Sequence, residues 1–331
     1  MSGEPVSGLP AAAQVVEEAL AASTSAACVV IVDELFDANV RFANNTMTTN
    51  GVRRDRRVTV VSFAESPSGM RAGVASASGP VEPAGLVAAA ESEAAGASPA
   101  EDASPLEPTG ADPAFAAPPE TTDLGVFAAL LQELRLAFGA ARAEGRVLAG
   151  FASHEVRTTY LGSSAGGRHR HVQPTGAVEL VARRPDGTAS AWAGRAATDF
   201  ADVSLAALDG ELRRRLGWAG RRVDLEPGRY EVILPPDAVA DLVLELDFAA
   251  SGREAEDGGT VYSAGSGRTR LGERLTALPF EAWSDPAAPG LECTPFVVAP
   301  SSNVDTSVFD NGLPIGAVHW IEDGVLRHLR Y

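Results

Sequence analysis

The chain has 331 residues, of which 45% are hydrophobic, and carries 44 acidic against 27 basic side chains for a formal net charge of −17. That length supports one large core or two ordinary ones, and the composition is that of a globular protein. The acidity opposes nucleic acid and anionic membrane surfaces, so neither is expected as a partner.

Apart from histidine, every basic side chain is arginine. The clusters Arg53-Arg54, Arg56-Arg57, Arg213-Arg214-Arg215 and Arg221-Arg222 lack the interleaved aromatics of a base-stacking platform and read as solvated faces. Cys28 lies in the apolar run Ala26 to Val32, as a small core residue would, and Cys293 is too distant to form a metal-type spacing with it. The N-terminus has no basic stretch leading into an apolar one, and no run approaches membrane-spanning length. A cytoplasmic protein is expected.

Pro10 to Ser23 reads as a short amphipathic helix. Strands follow at Ala27–Leu35, Val40–Ala43, Thr46–Thr49 and Arg57–Ala64, with turn signals at Asn44-Asn45 and Asn50-Gly51. A short helix fits Pro83–Ala95. From there to Thr122 the chain is rich in Ala, Pro, Ser and Glu, and residues 96–122 are expected to form a flexible insertion. Leu124, Phe127, Leu131, Leu134 and Phe138 form one stripe of a helix over Leu124–Ala143. Val147–Thr159, Gly176–Arg183 and Ala189–Ala193 are predicted strands, the last two joined by a turn at Pro185-Asp186-Gly187. Leu205, Leu208, Leu212 and Leu216 mark a further helix over Val203–Leu216. After a boundary near 225, a strand at Tyr230–Leu234 leads into a helix from Asp237 to Ser251, a long loop and a closing hairpin.

Three blocks resemble the TldD/PmbA family. Glu155 to Gly166 is similar to a family strand ending in a Leu-x-Asn-Ser-x-Gly turn, with Ser163 in place of asparagine. Pro227 to Leu234 and the following helix form the second block. The third joins Asp285-Pro286, Phe309-Asp310-Asn311-Gly312-Leu313-Pro314 and Ile321-Glu322-Asp323-Gly324-Val325-Leu326. One branch of the family carries a His-Glu-x-x-x-His zinc motif on the helix equivalent to Asp237–Ser251. Here that helix has no histidine. The resemblance therefore implies the metal-free TldE/PmbA-like type, the partner of a zinc-bearing TldD-like subunit in a heterodimer that processes extended peptides. It implies zinc only in that partner and no cofactor in this chain. Family members continue beyond the Gly-x-Leu strand into a Gly-rich block, so the resemblance also implies that the usual C-terminal portion is lacking.

Several residues carry chemistry independent of that resemblance. A catalytic zinc needs three protein ligands and an open position. His169 and His171 lie on one strand face and His154 on a neighbouring strand, but Arg168 and Arg170 flank the pair and would repel a dication. These three histidines are the candidates for zinc, and an exposed cationic turn is the favoured reading. Asp241 and Glu245, one helical turn apart, have the spacing for acid–base work or a hard cation, yet they fall beside a buried face expected at Leu242, Val243 and Leu246, and read as solvated. Gly265-Ser266-Gly267 does not fit a phosphate loop. No catalytic residue is assigned.

The expected fold is α+β: residues 1–225 as an antiparallel sheet with packed helices, and residues 226–331 as a smaller, incomplete β-rich domain around one helix. The alternative function is a stand-alone binding or scaffold protein, or a remnant without peptidase activity.

Overall fold

A computed structural model describes residues 9–219 and 223–331. The Arg221-Arg222 cluster lies outside the described residues. The architecture is the expected α+β, built on a six-stranded antiparallel sheet. Helix α1 (Ala12–Ala22) precedes β1 (Ala27–Ala43), β2 (Thr46–Ser66) and β3 (Gly69–Ser78); α2 (Pro83–Gly96) follows. After a long irregular segment, a 3-10 turn at Leu124–Phe127 leads into α3 (Ala128–Ala143), then β4 (Val147–Ser163), β5 (Arg168–Arg183), β6 (Ser190–Ala197) and α4 (Leu205–Trp218). The strand order is β3-β2-β1-β4-β5-β6.

The four short strands expected between residues 27 and 64 are two long ones. Asn44 and Asn45 both have positive φ, 51° and 60°, and make the two-residue turn of the β1–β2 hairpin. Asn50-Gly51 carries the same local signal and does not turn. It pairs within the ladder with Val40 and Asn39. A turn there would strand the backbone groups of Ala38 to Val40, so the continuous ladder wins.

Burial along β1 records how each sheet face is covered. Cys28 to Val32 are all buried, whereas from Asp33 to Phe42 burial alternates. The continuous apolar run is sandwiched on both sides, and the alternating part on one. Helices α1 and α2 cover Cys28, Val30 and Val32, while α3 and α4 cover Ala38, Val40 and Phe42 on the same face. Gly73 on β3 lets α2 approach closely: a Cβ there would lie 2.3 Å from the Ala90 carbonyl oxygen. The opposite face is covered at the α1/α2 end, where Phe296, Val308 and Phe309 pack on Val29, Ile31, Val61 and Phe63.

Helix α3 with its leading turn is, by length and composition alone, long and apolar enough to cross a membrane, although Gln132, Glu133 and Arg135 interrupt its apolar run. Its Phe127, Leu130, Leu134 and Phe138 nevertheless sit in the core against the sheet. The Arg clusters are only partly solvated. Arg56 is buried, ion-paired to Glu34 and donating Nη1 to the Pro10 carbonyl at 2.9 Å. Arg54 lies over the Phe36 ring at 4.4 Å.

Residues 97–122 are irregular, but they are laid along the sheet rather than free. Ala111 bridges Arg168, Phe115 is buried against Tyr160, the Tyr160 hydroxyl donates to the Ala117 carbonyl at 2.7 Å, and the Glu120 N–H donates to Thr158 Oγ1 at 3.1 Å. The expectation of flexibility counted too few large apolar groups, but hydrogen bonds to the sheet supply much of the anchoring.

The C-terminal part contains α5 (Pro236–Phe248), α6 (Gly252–Glu256), a β7 (Ser263–Gly265)–β8 (Arg268–Thr269) hairpin, and a three-stranded sheet of β9 (Ala282–Ser284), β10 (Val318–Glu322) and β11 (Val325–Leu326). Asp323 and Gly324, at φ 46° and 72°, form the β10–β11 turn. Tyr230–Leu234 is not a strand. It has no ladder partner, and Ile233 is fully exposed.

Candidate functional site

The three candidate histidines do not converge. His154 lies on the helix-covered face, where Nδ1 accepts from the Thr122 hydroxyl at 2.7 Å and Nε2 donates to the Thr198 carbonyl at 2.8 Å. Both ring nitrogens are thus satisfied in a buried pocket beside Phe200. His169 lies on the other face, 4.9 Å from the Phe296 ring, with Nε2 2.6 Å from Thr109 Oγ1. Burial pulls its pKa below the ordinary histidine value, against the pull of Asp112. His171 contacts Gln173 Oε1 at 3.0 Å. Among the described residues no three His, Cys, Asp or Glu side chains form a metal-binding group. The donor set does not fit zinc.

The family-like stretch Phe309 to Pro314 attaches the C-terminal part to the sheet. Phe309 stacks on Phe63 at 4.7 Å between ring centres. Asn311 is buried, accepting from the Ala299 N–H at 2.7 Å and donating to the Ala299 and Val308 carbonyls. Gly312, at φ 87°, passes close to Thr109 and His169. Asp310 sits beside Asp102 in a cavity of about 580 Å³ that also contains Arg253, Ser302, Ser307 and Tyr331. Burial and then the Asp102 charge push Asp310 above the ordinary carboxylate range. Burial alone would raise Asp102 too, but hydrogen bonds from Ser307 and Ser302 hold it below. Sequence reasoning missed Asp102, since nothing in the Ala/Pro-rich segment marks it as the partner of a residue two hundred positions away.

Helix α5 has no buried residue. Leu242 and Val243, expected to face a core, are 54% and 46% exposed, and Asp241 and Glu245 are solvated beside them. Leu246 alone of the expected stripe packs on the small C-terminal core of Ala255, Tyr262, Ile321 and Leu326. Between α5 and the three-stranded sheet runs an apolar groove of about 460 Å³ bordered by Val243, Trp283, Leu291 and Trp320. An uncovered apolar groove of this kind can bind another surface.

Residues 227–331 match the model of the PmbA/TldA metallopeptidase C-terminal domain. Over those residues the chain is similar to the PmbA/TldA metallopeptidases. Its fold is that of TldE from Thermococcus kodakarensis, at TM-score 0.70 and 16% identity over 96% of this chain and 68% of that one. A proposed modulator of a DNA gyrase from Thermotoga maritima aligns at TM-score 0.70 and 17% identity over 92% of this chain and 66% of that one. Another from Bacteroides thetaiotaomicron aligns at 0.71 and 13%, over 96% and 71%. The chain thus spans about two thirds of these structures. No curated protein matches it. Helix α5, inside the matched span, carries carboxylates and no histidine or cysteine.

Proposed function

We propose that this chain is a TldE/PmbA-like subunit that partners a zinc-bearing TldD-like peptidase and helps to hold and process extended peptides, without catalysing cleavage alone. The observation that carries this reading is α5: it has no histidine or cysteine, and its apolar side chains Val239, Leu242, Val243, Leu244 and Phe248 are exposed. A helix in that state suits a contact surface better than a metal site. In this reading the partner supplies zinc and the general base, and this chain supplies walls and backbone contacts for the substrate in the cytoplasm.

The test compares metal content and cleavage of an extended peptide for the chain alone, a zinc-bearing TldD-family homologue alone, and the two co-expressed. Co-elution, with cleavage at least tenfold greater in the pair, is expected. Stoichiometric zinc and cleavage by this chain alone would overturn the proposal, as would a homologue equally active without it.

A further inference from the structure

We infer that the outer edge of β5 from Arg170 to Pro174 is a strand-addition site for an extended peptide. Strand β6 pairs with β5 only over Gly176 to Arg183, half of a sixteen-residue strand. At the other end, the Arg168 N–H donates to the Gly110 carbonyl at 2.9 Å and its C=O accepts from the Asp112 N–H at 2.7 Å. Arg168 therefore directs its backbone groups away from β4. Because ladder direction alternates, Arg170, Val172 and Pro174 point their backbone groups the same way. Among the described residues no backbone group outside the β4–β5 ladder hydrogen-bonds the N–H or C=O of Arg170 or Val172. The interval from Arg168 to Gly176 is about 26 Å at the ordinary strand rise of ~3.3 Å per residue, room for a short strand between two segments that already use this edge.

The β3 edge, on the opposite side of the sheet, is capped at two points. The Val74 N–H on β3 is capped by Glu93 Oε2 at 3.2 Å, and the Met70 carbonyl accepts from the Ala100 N–H at 2.8 Å. The β5 gap is also bounded above and below the sheet plane. Arg170 Nη2 donates to the Pro118 carbonyl on one face, and Gln173 Nε2 reaches the Glu292 carbonyl on the other. Arg170 Nε is buried without a partner. A peptide residue paired opposite Arg170 projects to the same face, so a carboxylate there would meet the guanidinium. The choice of a peptide as occupant rests on the proposed function, and the edge itself supplies the main-chain recognition.

The test uses the purified 331-residue chain without a partner and a fluorescein-labelled nonapeptide of alternating Thr and Val with one central Glu, read by fluorescence anisotropy. Two further peptides carry N-methyl groups on odd or on even residues. Only one should lose binding, because only one edge of the peptide faces β5. Val172→Pro should weaken binding about tenfold. That proline is compatible with the fold, since it removes an outward N–H beside Pro174, which already lacks one. Undetectable binding, equal effects of both methylation patterns, or loss with Ala196→Pro on the β6 edge but not with Val172→Pro would overturn the site. Those results leave partner-dependent cleavage untouched, so the two proposals fail separately.

Discussion

Asp209 is a carboxylate within the leucine stripe of α4, and it is buried. Its oxygens receive Arg146 Nη1 at 2.7 Å and Nη2 at 3.2 Å, and Arg213 approaches from the next turn at 2.9 Å. Removing one partner of a buried pair leaves the other charge desolvated, so Asp209→Ala should cost about 3–5 kcal/mol, and Asp209→Asn less. Urea denaturation at pH 7 measures this, and a loss below about 1 kcal/mol would mean that Arg146 finds solvent instead. The stripe Leu205, Leu208, Leu212 and Leu216 was legible in the sequence, and an aspartate beside Leu208 signals a partner without naming it. Arg146 is sixty-three positions away, and pairwise placement at that range follows from the fold. Asn45 shows the same limit. Its turn was legible from residue type, whereas its amide donating to the Arg146 carbonyl at 2.8 Å and accepting from the Leu148 N–H at 2.7 Å was not.

At the scale of elements, patterns with an obligatory partner nearby were read correctly, and those needing a distant one were not. The periodic helices α1, α3 and α4 meet the sheet through the faces their leucines and valines define. Tyr230–Leu234 has the β-favouring residues of a strand, yet no ladder receives it. Helix α5 formed as expected, led by Pro235 and Pro236 with Asp237 in its first turn, but its apolar stripe stays uncovered. Since Leu242 and Phe248 are 54% and 64% exposed, Leu242→Glu and Phe248→Glu should change the stability of the isolated chain by no more than about 0.5 kcal/mol. The same substitutions should abolish co-elution with a zinc-bearing homologue if α5 is the contact surface. Thermal melts and size exclusion separate the outcomes: strong destabilisation of the chain alone would show that α5 packs inward, and unimpaired co-elution would place the interface elsewhere.

Over the whole molecule, the two faces of the large sheet tie the parts together. The helices and the segment around Phe115 cover one face, and the C-terminal part covers the other above Val29, Ile31, Val61, Phe63 and Leu161. The continuous apolar run at Ala26 to Val32 implied two-sided burial in the sequence, but not that residues near 300 provide the second side. A division at 225 therefore separates two stretches of sequence that share a core. A fully buried Val, Ile or Phe contributes ~1.5–3 kcal/mol relative to exposure, so uncovering several at once exceeds what a protein with a typical stability of about 5–15 kcal/mol tolerates comfortably. Residues 1–225 expressed alone should unfold at lower urea than the full chain and bind the apolar dye ANS, which reports the uncovered patch. Within the full chain, Phe309→Ala removes the ring stacked on Phe63 and should cost about 3–5 kcal/mol. An unchanged urea midpoint and no dye binding for residues 1–225 would instead make the two parts independent domains, with Phe309 belonging to a surface contact rather than to a shared core.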